Sequence, residues 1–436
     1  MNAALDRTSW LTDDLLDKKN FLSGDQWLQA FQLQQRQDFL ARGLPSRKEE
    51  SWKYTDIKFL EKSDFHKVTQ QSMVKFDNLS AFVLQNVESI KLVFVNGEFS
   101  TALSDLTLVP NNIICCSLKT ALREHSALVR TYLSQPIDNN LFPFVNLNAA
   151  LLSDGLFLVV PKNEVLKVPI HLLFINTLDY AYTCPRNIIV ADESSKACLL
   201  EEHYGEAAEN YFTNVVTDIY TKNNAHVDYY KIQNEAVTAT HIADIVVHQT
   251  QDSKVKTVSL ALGSRLAREN VRVYLSERSA ECSINGFYCT QADGQHIDNH
   301  VQIDHIAPHG VSEMIYKGVL DKKSRAVFNG KIHVYQDAQK TQSQQANHNL
   351  LLSPNAEIDT KPEFEIYADD VKCAHADTVG QLDLESLFYL RSRGIEKAVA
   401  MKLLTRAFSD DVLKRVEQQD ILQRMQTLLN QKLTYE

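Results

Sequence analysis

Between residues 193 and 356 short polar clusters return at nearly regular intervals. They are Glu193-Ser-Ser-Lys-Ala197, Lys222-Asn-Asn-Ala225, Asp252-Ser-Lys-Val255, Glu277-Arg-Ser-Ala280, Lys323-Ser-Arg-Ala326 and Ser353-Pro-Asn-Ala356. Each ends on a small or β-branched residue, and the end positions step by 28, 30, 25, 46 and 30. A similar cluster, His309-Gly-Val311, splits the 46 into 31 and 15. Steps near 15 or 30 suit a stacked solenoid in which each coil turns a polar corner to solvent. An irregular β-sandwich, whose turns also recur at short intervals, is the competing arrangement.

The segments between the corners are rich in Val, Ile, Tyr and Thr, at 156–160, 188–190, 227–232, 242–248, 255–262, 271–275 and 327–335. No long helical pattern interrupts them for about 200 residues, so this stretch reads as β. Hydrophobic residues are 44% and charged residues 23% of the 436, which excludes a disordered chain. No apolar run is long enough to cross a bilayer as a helix. Residues 1–14 carry Asp6, Asp13 and Asp14 and no apolar stretch of a secretory signal. A net charge of −10 disfavours phosphate-backbone binding, so no nucleic-acid partner is expected.

Seven cysteines, at 115, 116, 184, 198, 282, 289 and 373, form no Cys-x-x-Cys and no zinc spacing. Reduced thiols in a cytoplasmic protein, mostly as small core residues, are the simplest reading.

The flanks differ in texture. Residues 1–155 read as mixed and mostly helical, 156–376 as the β core, and 377–436 as a helical module. Ser23-Gly24-Asp25 offers caps for a helix carrying Trp27, Leu28, Phe31, Phe39 and Leu40 that stops near Gly43. Its Gln32, Gln34, Gln35 and Gln37 read as a solubilising exposed face. Residues 91–96 read as a strand turning at Asn96-Gly97, and 118–133 as a helix. In the tail, Asp383 caps Leu384, Leu387 and Phe388, and Gly394 ends that helix. Ile421, Leu422, Met425, Leu428 and Leu429 share a helix face. About fifty residues cannot stabilise themselves, so the module should pack on the β core or on a partner.

Nucleotide machinery is missing: there is no Walker A or dinucleotide-binding glycine pattern, and the Gly330-Lys331 pair lacks the rest of the motif. If ATP matters, another protein hydrolyses it. Nucleophile-elbow and zinc-protease motifs are absent too. On a strand, His296, Asp298, His300, Gln302 and Asp304 share one face. His296 and His300 would lie roughly 13 Å apart, too far for one ion, so a solvated or hydrogen-bonded face is favoured over a metal site. The densest constellation is Asp369-Asp-Val-Lys-Cys-Ala-His-Ala-Asp-Thr378. Cys373 and His375 fall on one strand face, a ligand pair suited to iron–sulfur chemistry, Zn or Cu(I). Lys372 would lower the thiol pKa. Two ligands do not complete a site, and an ordinary strand end remains the alternative.

Several stretches carry a family resemblance: Ser324-Arg-Ala-Val-Phe-Asn-Gly330, Glu357-Ile-Asp-Thr-Lys-Pro-Glu363, Glu365-Ile-Tyr-Ala-Asp-Asp-Val-Lys-Cys-Ala-His375 and Leu387-Phe-Tyr-Leu-Arg-Ser-Arg-Gly-Ile395. Glu50-Ser-Trp-Lys-Tyr-Thr-Asp56 adds an N-terminal signature. On these the chain resembles the SufB/SufD family of iron–sulfur cluster assembly proteins, and its SufD branch more than its SufB branch. SufB-like chains carry a cysteine in the stretch equivalent to 353–357 and glutamates flanking the equivalent of His375; here the flanks are Ala374 and Ala376. The family usually reads His-Gly-Ala-Thr where this chain has His375-Ala-Asp-Thr378. The change restricts φ at Ala376 and adds the charge of Asp377.

The resemblance implies a mainly β fold, with a right-handed parallel β-helix core flanked by an N-terminal mixed or helical domain and a C-terminal helical domain. It implies a non-catalytic scaffold that pairs with a SufB-like subunit and a SufC-like ATPase. It also implies a transient iron–sulfur cluster shared with the partner, none being held stably by the isolated chain. His375, with Cys373, becomes a candidate transient cluster ligand, and Asp377 a candidate to orient the imidazole. Leu384, Leu387, Phe388, Tyr389, Arg391 and Arg393 become candidate ATPase-docking residues. Unpaired strand edges at 347–375 would join the SufB-like chain, or a second copy in isolation. The competing functions are a sugar-active β-helix enzyme, a lyase or epimerase with Asp298, Asp304 and Tyr316 as candidates, and a stand-alone metalloenzyme.

Overall fold

The computed structural model describes residues 9–17, 25–68, 82, 84, 87–135, 142–205 and 210–433. Ser23 and Gly24, read above as helix caps, lie outside them. Two sheets, of 11 and 10 strands, face each other along a parallel β-solenoid. Successive coils contribute one strand to each sheet. In the first, Phe212 pairs with Thr240, Thr240 with Leu266, Leu266 with His296, His296 with Arg325 and Arg325 with Glu357. These are steps of 28, 26, 30, 29 and 32 residues, so the rhythm read from the turns is the coil length.

The corners have a local cause. Ser194, Asn224, Asp252, Ser279 and His309 all adopt positive φ, between 55° and 64°. Short polar side chains tolerate this left-handed conformation better than bulky ones. Ala197, Ala225, Val255 and Ala280 follow within three residues and are buried, tucked under the turn. These corners all feed the second sheet. The 323–326 and 353–356 clusters feed the first, through strands Arg325–Val334 and Glu357–Ile366. The step of 15 therefore crosses from one corner of a coil to the opposite one.

The N-terminal segment begins both sheets. Ile90–Val95 pairs in parallel with Ile170–Asn176, and Ile114–Ser117 pairs antiparallel with Leu156–Val160. The strand read at 91–96 is thus built into the solenoid, and Asn96 and Gly97 turn it with φ of 50° and 83°. The expected helix spans Gln26–Arg42 and ends at Gly43, whose φ is 72°. Its glutamine face is not simply solubilising. Gln32 and Gln35 are buried, Gln35 Oε1 accepting from Asn146 Nδ2 at 2.7 Å. The helix read over 118–133 is two, Leu118–Glu124 and Ser126–Leu133, broken at His125.

Helices cover both outer faces. N-terminal helices pack on the first sheet around Phe157, Ile188 and Val190. The C-terminal helices Lys397–Leu413 and Gln419–Lys432 pack on the second, setting Val412, Met425 and Leu429 against Leu200, Tyr230, Leu260 and Phe287. Ion pairs Arg424–Glu202, Arg415–Glu313 and Lys317–Asp411 fix that docking. Of the two packings open to the tail module, its last two helices take the one on the solenoid.

Candidate functional site

The two sheets end on strands Glu357–Ile366 and Lys372–Gly380, and neither has a further neighbour among the described residues. The first is half-buried and the second largely exposed, unlike the strands before them. Parallel pairing sets Cys373, His375 and Asp377 beside Ser343, Gln345 and Asn347. Those three are buried, so all six side chains share the face turned into the solenoid. At the last coil that face opens to solvent.

Sequence reasoning placed Cys373 and His375 together, and the strand does so, but their environments differ. Cys373 is half-buried and packs against the solenoid's apolar core. Burial pushes its thiol up, opposed by a backbone hydrogen bond from Ser343. Lys372 does not activate it. His375 is exposed, its ring edge-on to Phe364 with centroids 5.1 Å apart. No hydrogen bond joins Asp377 to that imidazole: Asp377 Oδ2 accepts from Thr360 Oγ1 at 2.7 Å, and Oδ1 has no partner among the described residues.

Helix Leu384–Ser392, just beyond the open end, has no buried residue. Leu384 is 73% exposed, Phe388 74% and Tyr389 57%. Leu387 is half-buried, while Arg391 and Arg393 are exposed. The guanidinium of Arg393 lies 5.1 Å from the Tyr389 ring centre. The first tail helix thus keeps an apolar and basic surface in solvent while the later two are docked.

The alternating strand His296–His305 is a hydrogen-bonded face, as favoured above, and a covered one. Asp298 is buried between Arg268 and His300 and accepts from Thr55. The Arg268 guanidinium lies 3.7 Å from the Trp52 ring centre. The Trp52-Lys-Tyr-Thr-Asp56 signature is therefore a clasp on the solenoid. Its target lay more than 200 residues away, and local patterning carries no signal for such a contact. Asp298, Asp304 and Tyr316 line no common groove: Tyr316 packs in the interior, and Asp304 is buried against Arg272. The sugar-active reading loses its residues.

Residues 174–408 match the family model for the SUF system FeS cluster assembly SufBD core domain, and residues 20–172 match the SufBD protein N-terminal region. The chain belongs to the SufBD family. An iron–sulfur cluster assembly SufBD family protein of Synechocystis is 34% identical over 386 residues, covering 86% of this chain and 84% of the relative. Iron–sulfur cluster assembly protein SufD of Escherichia coli is 30% identical over 409 residues, 92% of each chain. SufD of Bacillus subtilis is 26% identical over 421 residues, covering 93% and 94%. The SufBD fold of this chain thus places an exposed imidazole at the unpaired end of its solenoid and an unburied apolar helix beside it. No helix among the described residues is long and apolar enough to cross a membrane.

Proposed function

We propose that this SufBD protein is a non-catalytic scaffold subunit of a cytoplasmic SufBCD-type complex. It would pair through its open end with a SufB-like chain and present His375 to the nascent cluster. The observation that carries this reading is the exposed imidazole on an edge strand with no neighbour among the described residues. An unpaired edge offers a row of free backbone donors and acceptors and is a template for another strand. In isolation the same edge would pair with a second copy.

The cluster is cargo here. Imidazole binds iron moderately and yields to thiolates, which suits a site that releases what it builds. His375 would supply one ligand, and thiolates or carboxylates of the SufB-like chain the others. Cys373, its thiol turned to the core, would contribute only after a side-chain rotation. The exposed face of helix Leu384–Ser392 would dock the SufC-like ATPase by seating Leu384 and Phe388, at i and i+4, in a partner groove.

The test is co-expression of His375→Ala with a SufB-like subunit and a SufC-like ATPase. The complex should assemble with normal stoichiometry while cluster yield, read from visible absorption and iron and sulfide content, falls severalfold. Normal yield in an assembled complex would make His375 structural and the proposed site wrong.

A further inference from the structure

The solenoid interior is not apolar throughout. Where strands Lys196–Gly205 and His226–Asn234 end and Thr240–Gln249 begins, the facing side chains include Glu201, His203, Lys231, Glu235, His241 and Glu269. Three carboxylates there face one ammonium, that of Lys231, which lies 3.1 Å from Glu269 Oε2. Buried charge must be paired, so this excess of carboxylate requires further positive charge or a proton.

Of the two imidazoles, only His203 has a nitrogen committed to a hydrogen bond. His203 Nε2 lies 2.7 Å from Glu201 Oε1. Glu201 also accepts from Tyr229 Oη, Asn187 Nδ2 and Thr217 Oγ1, the environment of a carboxylate. His203 Nε2 therefore carries the hydrogen, and Nδ1 carries the lone pair. His241 Nδ1 lies 2.6 Å from Glu235 Oε2 without hydrogen-bond geometry; that oxygen accepts from Gln233 Nε2 and the other from Thr213 Oγ1. His203 Nδ1 and both ring nitrogens of His241 are buried and have no hydrogen-bond partner among the described residues. Protonating both rings would bury donors without acceptors, at roughly 1–3 kcal/mol each. A cation satisfies two lone pairs and the excess carboxylate charge together.

The geometry is close to what an ion needs. One ligand atom from each of His203, Glu235 and His241 lies within 4.8 Å of the others. A tetrahedral ion with bonds of about 2.0–2.1 Å wants its ligand atoms about 3.3 Å apart, which small side-chain rotations achieve. The His203 ring is held by stacking on Phe174, with centroids 4.8 Å apart and planes 11° from parallel. A carboxylate on the far nitrogen of a ligating histidine, as Glu201 provides, is the usual way such a ring is oriented and its basicity raised.

We propose that His203, Glu235 and His241 form a binding site inside the solenoid for one divalent transition-metal ion of the Fe²⁺ or Zn²⁺ class. Two imidazoles and one carboxylate suit these ions rather than Mg²⁺ or Ca²⁺, and three protein ligands leave a coordination position open. The site belongs to one chain and does not rest on the assembly role. It departs from the expectation that the isolated chain holds no inorganic group stably. His375 stands six strands further along the same sheet, roughly 29 Å away at about 4.8 Å per strand, so the two sites are separable.

The test uses the full chain and Co²⁺ as a spectroscopic probe, present during refolding as well as added afterwards, so that slow access does not mask binding. Anaerobic Fe²⁺, and separately Zn²⁺, then compete. The expected result is one equivalent per chain, ligand-field bands without thiolate charge transfer, and a raised melting temperature. Glu235→Gln and His241→Gln should each weaken binding at least tenfold, and His375→Ala should leave it unchanged. Failure of refolded wild type to retain one equivalent, a thiolate spectrum, or undiminished binding in folded variants would each overturn the site. Wild-type stoichiometry and spectrum decide the question even if a variant does not fold.

Discussion

Thr55 Oγ1 donates a 2.6 Å hydrogen bond to Asp298 Oδ2 across 243 residues of sequence, and Arg268 Nη1 reaches the same oxygen at 2.6 Å. A signature near the N-terminus is thereby tied to coils in the middle of the chain. The tie is part hydrogen bond and part cation on aromatic ring, since Trp52 lies against the Arg268 guanidinium. Thr55→Val keeps the volume but removes the donor, leaving Asp298 with Arg268 and His300. It should cost about 1–2 kcal/mol. Trp52→Ala removes a buried ring and should cost roughly 3–5 kcal/mol. Urea unfolding of both variants checks the order; a larger effect of Thr55→Val would mean the hydrogen bond, not the ring, holds the clasp.

Buried His305 makes the solenoid acid-sensitive. Its Nε2 lies 2.8 Å from Ser312 Oγ, and burial pushes its pKa down from 6.5 to about 4. The unfolded chain takes up this proton near pH 6.5, the folded chain only near 4. This contribution to stability is complete above about pH 6.5 and is lost as pH falls toward 4. It amounts to at most about 3 kcal/mol at 1.36 kcal/mol per pKa unit. His305→Gln should flatten the stability profile between pH 6.5 and 4.5, measured by urea unfolding at each pH. An unchanged slope would place the sensitivity in other histidines.

The corners were legible because their chemistry is local. A left-handed residue followed by a small buried one leaves a polar-then-small signature. Where the left-handed position is taken by Lys340, with a φ of 64°, the signature fades. The step of 46 between 280 and 326 has another cause: there the clusters pass from corners that feed the second sheet to corners that feed the first. The open end was legible in part, because Cys373 and His375 share a face by period two alone. Which of them would reach solvent was not, since that depends on Phe364 and on the core beneath Cys373. Gln32 and Gln35 were misread because a buried amide with a partner looks, in sequence, like an exposed one.

Helix Leu384–Ser392 gives a cleaner test of ATPase docking than removal of the tail. Truncation after Val379 would strip Val412, Met425 and Leu429 from the second sheet and expose Leu200 and Tyr230, so a lost interaction would report unfolding as readily as docking. Leu384→Asp with Phe388→Asp alters only exposed side chains and should change stability by less than about 0.5 kcal/mol. A pull-down with the SufC-like ATPase should then fail at unchanged melting temperature. Full retention would put the docking surface elsewhere.

The edge and the imidazole can be separated at a single position. Lys372 N donates to Thr341 O, across the ladder to the preceding strand. Alternate residues of a parallel strand face the same neighbour, so the N–H groups of Cys373, His375 and Asp377 point to the open edge. His375→Ala removes the imidazole and keeps that donor. His375→Pro removes both, and proline is tolerated in a strand where its nitrogen faces no partner. Alanine should therefore leave pairing with the SufB-like chain, and any self-pairing, intact while cluster yield falls. Proline should abolish pairing itself, seen as a shift to monomer in sedimentation and loss of the partner in pull-downs. Circular dichroism and melting must show the proline variant folded. If folded His375→Pro still pairs with wild-type affinity, the strand does not extend into a partner sheet, and the interface lies on another face of the solenoid.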